Sequence, residues 1–201
     1  MTNLSEQLQA IGRFDLIVID PPWSYYGQQD KWAAAAKFYP TMSDDEVYAL
    51  PISCAMSKRS IVFVWATAPR LDAAIRCIER WGLSFRGVAF TWVKTRHDGR
   101  PIGAQGVRAS ITKPTCEYVL AASNVAKGRP IPVADESVAS VVLAPRREHS
   151  RKPDEVIERI ERMYPQASKL EIFARQERAG WKSIGNETSK FNELGSDHAF
   201  T

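Results

Sequence analysis

Residues 14–26 read FDLIVIDPPWSYY. The run from Phe14 to Ile19 is apolar and β-branched, which predicts a buried strand. It ends on Asp20, Pro21, Pro22 and Trp23. One glycine or one proline is enough to stop a strand. A carboxylate, a rigid corner and a broad ring placed together ask for a further reason. An apolar strand ending in Asp also holds magnesium in P-loop nucleotide hydrolases, but that reading requires a G-x-x-x-x-G-K-[ST] loop, which the sequence lacks. A helix-capping Asp followed by a rigid turn accounts for Asp20, Pro21 and Pro22 and leaves Trp23 without a purpose.

The combination suits methyl transfer to the exocyclic amine of a base. Such an amine is a poor nucleophile, because its lone pair is shared with the ring. Acceptors that take its hydrogens favour a pyramidal nitrogen and its developing positive charge, and a carboxylate and a backbone carbonyl can do this together. Proline has a fixed φ and no N–H, so a Pro-Pro turn offers carbonyls in a preset direction. The ring that follows is suited to stack on a base drawn out of its helix.

The rest of the chain sets the frame. Its 201 residues fit one domain, with 44% hydrophobic and 25% charged residues as in a soluble globular protein. Arg13 and Asp15 interrupt the N-terminal region, so neither an export signal nor a membrane span is expected there. Cys54, Cys77 and Cys116 read as thiols of a reducing, cytoplasmic environment. His97, His149 and His198 stand apart from one another, so no metal is expected. The net charge of +4 is modest, but it is unevenly placed. Lys94, Arg96, Arg100, Arg108 and Lys113 face only Asp98, and Arg146, Arg147, Arg151 and Lys152 face only Glu148. Solvated loops and phosphate-contacting loops both fit that pattern.

Further strands are expected over 60–66, 85–93, 116–122, 138–144 and 169–174. Ser43 and Glu46 form a capping-box pair that predicts a helix starting near Asp44. Leu71, Ala74, Ile75, Ile78 and Trp81 mark one helical face, with Gly82 as its C-terminal cap. Pro153 opens a helix carrying Val156, Ile157, Ile160 and Met163. The stretch 24–40 reads as an aromatic loop, with a short helix possible over 32–38. The alternation predicts an α/β domain with a mostly parallel sheet. Ligands bind beyond the carboxyl ends of such strands, where Asp20, Lys94 and Arg175 lie.

Asp20-Pro21-Pro22-Trp23 resembles the catalytic motif of amino-methyltransferases that use S-adenosylmethionine. Its DPPW form is similar to that of the MT-A family of adenine-N(6) methyltransferases. The stretches FYPTMSDDE (38–46), IVFVWAT (61–67), WVKT (92–95), REHSRKPDE (147–155), LEIFAR (170–175) and GWKSIGNE (180–187) follow in family order. The loop from Gly99 to Glu117 follows the family pattern in part: Gly103, Gly106, Thr112 and Glu117 fit, while Lys113 replaces an arginine and the spacing is longer.

The resemblance implies a Rossmann-like methyltransferase sheet with helices on both faces, filling 1–189, with a polar tail over 190–201. It implies S-adenosylmethionine as cofactor and adenine in nucleic acid as substrate. Asp20, Pro21, Pro22 and Trp23 would be catalytic, with Asp20 and the Pro21 carbonyl on the target amine. Asp20, Lys152, Arg175, Asn186 and Glu187 would meet the cofactor. Tyr39, Trp92 and Lys94 would lie on the substrate side, and the basic loop through Arg96, Arg100, Arg108 and Lys113 would grip the nucleic acid. A compact chain looks like the prokaryotic and viral branch, which favours DNA. RNA, or an inactive nucleic-acid-binding subunit, are the alternatives. A homodimer or a related partner subunit fits the absence of a separate target-recognition segment.

Overall fold

The computed structural model describes residues 3–24, 41–103, 112–148 and 150–192. Tyr39, Arg108, His149, the 32–38 stretch and most of the tail lie outside these. In chain order the elements are α1 (Leu4–Ala10), β1 (Phe14–Ile19), α2 (Asp44–Tyr48), β2 (Met56–Thr67), α3 (Leu71–Arg80), β3 (Ser84–Thr95), β4 (Cys116–Ser123), β5 (Val141–Pro145), α4 (Asp154–Met163), β6 (Lys169–Ile172) and β7 (Trp181–Ile184). Short 3-10 turns precede β2 and α3.

The seven strands form one sheet in the order β5-β3-β4-β2-β1-β6-β7. β1 pairs in parallel with β2 and β6, β6 with β7, and β3 with β5. β4 alone runs the other way, antiparallel to both β2 and β3. The fold is therefore the mostly parallel α/β sheet that the alternation implied. β1 lies between its sequence neighbour β2 and the late strand β6, and the chain order reverses at its carboxyl end. In open α/β sheets that is where a ligand crevice forms.

Both faces are covered. Ile17, Ile19, Val62, Val64 and Leu120 share one core with Leu8 of α1, Val47 of α2 and Ala74 and Ile78 of α3. Leu16, Val18, Phe63, Trp65, Phe90 and Trp92 share the other with Val156, Ile157 and Ile160 of α4. β1 is apolar on both faces, as a central parallel strand must be.

Local signals explain the element ends. Ser43 and Glu46 exchange side-chain and backbone bonds at the start of α2, completing the capping box. Gly82, at φ 70°, turns the chain out of α3, and its N–H bonds to the Glu79 carbonyl. Two elements went unanticipated: α1, and β7, whose four residues WKSI carry little apolar signal. The strand expected over 169–174 stops at Ile172, because Phe173 takes a left-handed φ of 62°. The strand expected at 138–144 is shifted to Val141–Pro145. The segment entering the tail is packed as far as Phe191, which is buried and bonds through its N–H to the Arg175 carbonyl.

Candidate active site

The carboxyl end of β1 delivers Asp20 to the edge of the sheet, and the turn after it is held by the backbone. The Trp23 N–H donates to the Pro21 carbonyl at 2.8 Å, and the Met42 N–H donates to the Pro22 carbonyl at 3.0 Å. The Pro21 carbonyl keeps a second lone pair for another donor. Asp20, Pro21, Pro22 and Trp23 line a cleft with Trp65 and Thr67 from β2, Glu117 from β4, and Ser150, Lys152 and Arg175. Because β4 is antiparallel, it brings its first residues to the edge where its neighbours bring their last.

Four charges alternate along this cleft. Lys152 Nζ is 3.1 Å from Asp20 Oδ1 and 3.2 Å from Glu117 Oε2, and Lys94 Nζ is 2.7 Å from Glu117 Oε1. Burial raises the Asp20 carboxyl above its ordinary range. Lys152 counters this, Glu117 adds to it, and Arg175 counters it. Burial would also raise Glu117, but Lys152 and Lys94 hold it below the usual carboxylate range. For Lys152 burial favours loss of its proton. Asp20 and Glu117 outweigh that and keep it firmly protonated. Its ammonium also lies 5.3 Å from the Trp65 ring centroid.

The cleft continues over the end of β6. Here Arg175 Nε lies 3.4 Å from Glu187 Oε2. Arg151 is stacked 5.1 Å from the Phe191 ring, and both line the cleft with Phe173 and Glu171. Ser150 and Phe173 are the non-glycine residues with positive φ among the described residues, at 64° and 62°. Both border the cleft, so backbone strain is concentrated where the site is built. Asn186 is exposed beside Glu187.

The structure thus brings Asp20, Pro21, Pro22, Trp23, Lys94, Lys152, Arg175 and Glu187 to one edge. The two tryptophans behave differently from the sequence expectation. Trp23 is 4% exposed, its Nε1 donates to the Trp65 carbonyl at 3.2 Å, and Arg70 lies over its ring at 5.7 Å. The ring that looked like a stacking platform is packed into the core. Trp92 is 2% exposed, donates to the Ala144 carbonyl at 2.9 Å and meets Trp65 edge to face. It supports Lys94 from below, with the ammonium 5.1 Å from its ring. Arg100 is 80% exposed and 3.8 Å from Asp98, while Arg96 and Lys113 are exposed on the same loop. Sequence reasoning left out Trp65, Ser150, Glu171 and Phe191, and met Glu117 only as part of a loop pattern. An acid at the start of an apolar strand was the available signal for Glu117, and an acid between Leu170 and Ile172 for Glu171.

The family model for MT-A70 matches residues 14–187. A probable N(6)-adenosine-methyltransferase MT-A70-like protein of Oryza sativa subsp. japonica is 34% identical over 185 residues, covering 90% of this chain and 24% of that protein. The type II methyltransferase M.MunI of Mycoplasma sp is 31% identical over 194 residues, covering 87% of this chain and 78% of that protein. The N(6)-adenosine-methyltransferase catalytic subunit METTL3 of Homo sapiens is 28% identical over 194 residues, covering 94% of this chain and 31% of that protein. The chain spans about a quarter of the length of the plant relative.

Proposed function

The chain belongs to the MT-A70 family, and from that premise we propose that it transfers a methyl group from S-adenosylmethionine to the exocyclic amine of adenine in nucleic acid, with DNA the preferred substrate. The observation that carries the reading is the alternating array Asp20, Lys152, Glu117 and Lys94 beside the Pro-Pro turn. It is a preorganised field at the one edge where the strand ends meet.

The donor set fits the cofactor. Lys152 and Arg175 suit its carboxylate, while Glu187 and Asn186 suit the hydroxyls of its ribose. Bound S-adenosylmethionine supplies an electrophilic methyl group. Asp20 and the free lone pair of the Pro21 carbonyl accept the two hydrogens of the target amine, drawing its lone pair out of the ring. Lys152 opposes the rise that burial imposes on Asp20, and Glu117 holds Lys152 in place. Lys94 completes the array, and Arg96, Arg100 and Lys113 offer phosphate contacts on the loop after it.

Support for DNA comes from M.MunI, a relative matched over 78% of its own length and named a type II methyltransferase. RNA is the second reading, supported by the plant relative, whose name specifies adenosine. Mass spectrometry of nucleosides from DNA and RNA, each incubated with the protein and isotope-labelled S-adenosylmethionine, tests both. Label on N(6) of deoxyadenosine is the expected result. Label on adenosine alone would select RNA, and no label in either nucleic acid with folded protein would overturn the reading.

A further inference from the structure

Arg70 is the largest fully buried side chain among the described residues, only 1% exposed, and the reaction above does not use it. It ends the 3-10 turn Ala68–Arg70, which follows the carboxyl end of β2. Its guanidinium is ion-paired with Asp44, the first residue of α2, and lies 5.7 Å from the centroid of the Trp23 ring. One buried cation thus grips both sides of a junction. The chain leaves the Asp-Pro-Pro-Trp turn after Trp23 and comes back beside it at Met42, where the two residues form a β-bridge. The junction aims two carbonyls: the Trp23 N–H donates to Pro21 and the Met42 N–H to Pro22. Trp23 is also pinned at its far end, by the bond from Nε1 to the Trp65 carbonyl. Stability alone gives little reason for the ion pair. Taking a guanidinium and a carboxylate out of water costs much of what their attraction returns, and apolar side chains of similar volume often stabilise such a place as well or better. What they lack is direction: a guanidinium is a flat fork that can hold a carboxylate and lie against a ring at once.

Resting on the methyl-transfer reading, we propose that Arg70 is a positioning residue for that reaction: through Trp23 and Asp44 it fixes the direction of the Pro21 carbonyl, one of the two acceptors for the target amine. Arg70 is not among the side chains that line the cleft, whereas Trp23 and Pro21 are. It therefore acts through the turn and not on the substrate. Without it, the indole and the start of α2 are no longer tied to each other, and the two N–H donors that orient the proline carbonyls gain freedom together. A misplacement of about 1 Å at a reacting group costs on the order of 100-fold in rate. A looser turn is felt in the chemistry before it is felt in folding or in cofactor binding, since Lys152, Arg175 and Glu187 stand on other segments.

The test separates stability from turnover. Arg70→Met combined with Asp44→Asn removes both charges at nearly constant volume and leaves no buried charge unpaired. The double variant should keep the wild-type unfolding midpoint and the wild-type affinity for S-adenosylmethionine. Its kcat for methyl transfer, on the nucleic acid that the wild type labels, should fall at least about 10-fold, with KM for that nucleic acid moving less than about 3-fold. Arg70→Lys keeps the charge beside Asp44 without the flat fork over the indole, and should recover kcat only in part. Wild-type kcat in the double variant overturns the proposal and leaves the methyl-transfer reading standing. So does a double variant that fails to fold, or whose loss of kcat matches its loss of folded protein, because Arg70 is then a residue of the fold alone. Wild-type protein that labels neither DNA nor RNA overturns the methyl-transfer reading and this inference with it.

Discussion

Lys152 Nζ stands 3.1 Å from Asp20 Oδ1, where the end of β1 meets the segment leading into α4. The ammonium opposes the rise that burial imposes on the Asp20 carboxyl and holds its oxygen toward the cleft. Asp20→Asn should lower single-turnover methyl transfer by at least about 100-fold, the scale of losing one preorganised electrostatic contact. Lys152→Met should lower turnover and cofactor affinity together. Near-normal turnover in Asp20→Asn would remove the acid from the chemistry.

Glu117 tests whether the array acts as a unit. Its carboxylate bridges Lys94 and Lys152, and it is well buried. Glu117→Gln leaves Lys152 with one carboxylate instead of two. Turnover should fall roughly 10-fold or more, while the dissociation constant for S-adenosylmethionine moves little. A change confined to the melting temperature would make Glu117 purely structural.

Trp23 should now behave as a core residue. Trp23→Ala removes a buried indole, its bond to the Trp65 carbonyl and the surface under Arg70, at a cost of about 3–5 kcal/mol. Denaturant unfolding reads this directly. An unaltered midpoint with weakened nucleic-acid binding would restore the stacking role.

Gly185 sits where two loops of the cofactor side nearly touch. A Cβ there would lie 2.8 Å from the Ala174 carbonyl oxygen and 2.9 Å from its nitrogen. Both are backbone atoms held by the bond from the Ala174 N–H to the Ile184 carbonyl. Gly185→Ala should cost about 1–3 kcal/mol of stability and weaken cofactor binding, since Arg175 and Glu187 flank the strained point. Unchanged stability and affinity would show that the loops can part freely.

Glu171 also makes a stability prediction in the absence of any ligand. Its carboxyl is raised in the folded chain from the ordinary 4.5 to about 7, so the folded state holds the proton more tightly than the unfolded state. Stability from this group is fully present below about pH 4.5 and is lost as pH rises to 7. Glu171→Gln should therefore be more stable than wild type at pH 8, by up to about 3 kcal/mol, and equal to it at pH 4.5. Parallel stability curves for the two proteins would show that Glu171 does not titrate in this window.

Much of this was legible in the sequence because periodicity and punctuation carry it. The apolar run to Ile19, the Ser43–Glu46 box and the α3 face from Leu71 to Trp81 each announce their element locally. What stayed hidden depends on which face a side chain takes. Trp23 and Trp92 are rings beside an expected pocket, and only packing decides that both point inward. The reversed direction of β4 was readable in principle, since the loop from Arg96 to Thr115 gave no crossover-helix pattern and parallel neighbours require a crossover. Its consequence, a glutamate delivered to the ligand edge, was not, because it needs the register of Glu117 against Thr67 and Trp92.

The central place of β1 also governs how the molecule comes into being. β1 pairs with β6, and Asp15 bonds to Ser168, 153 positions further on. A ribosome emits Asp20 well before β6 and the arginine across the cleft. Long-range pairing of this kind folds slowly. Until β6 docks, one edge of β1 is open to strand addition by other chains. The nascent chain therefore passes through a stage in which the future reaction centre is an exposed sticky edge. Chaperone demand and aggregation during synthesis should concentrate at that stage.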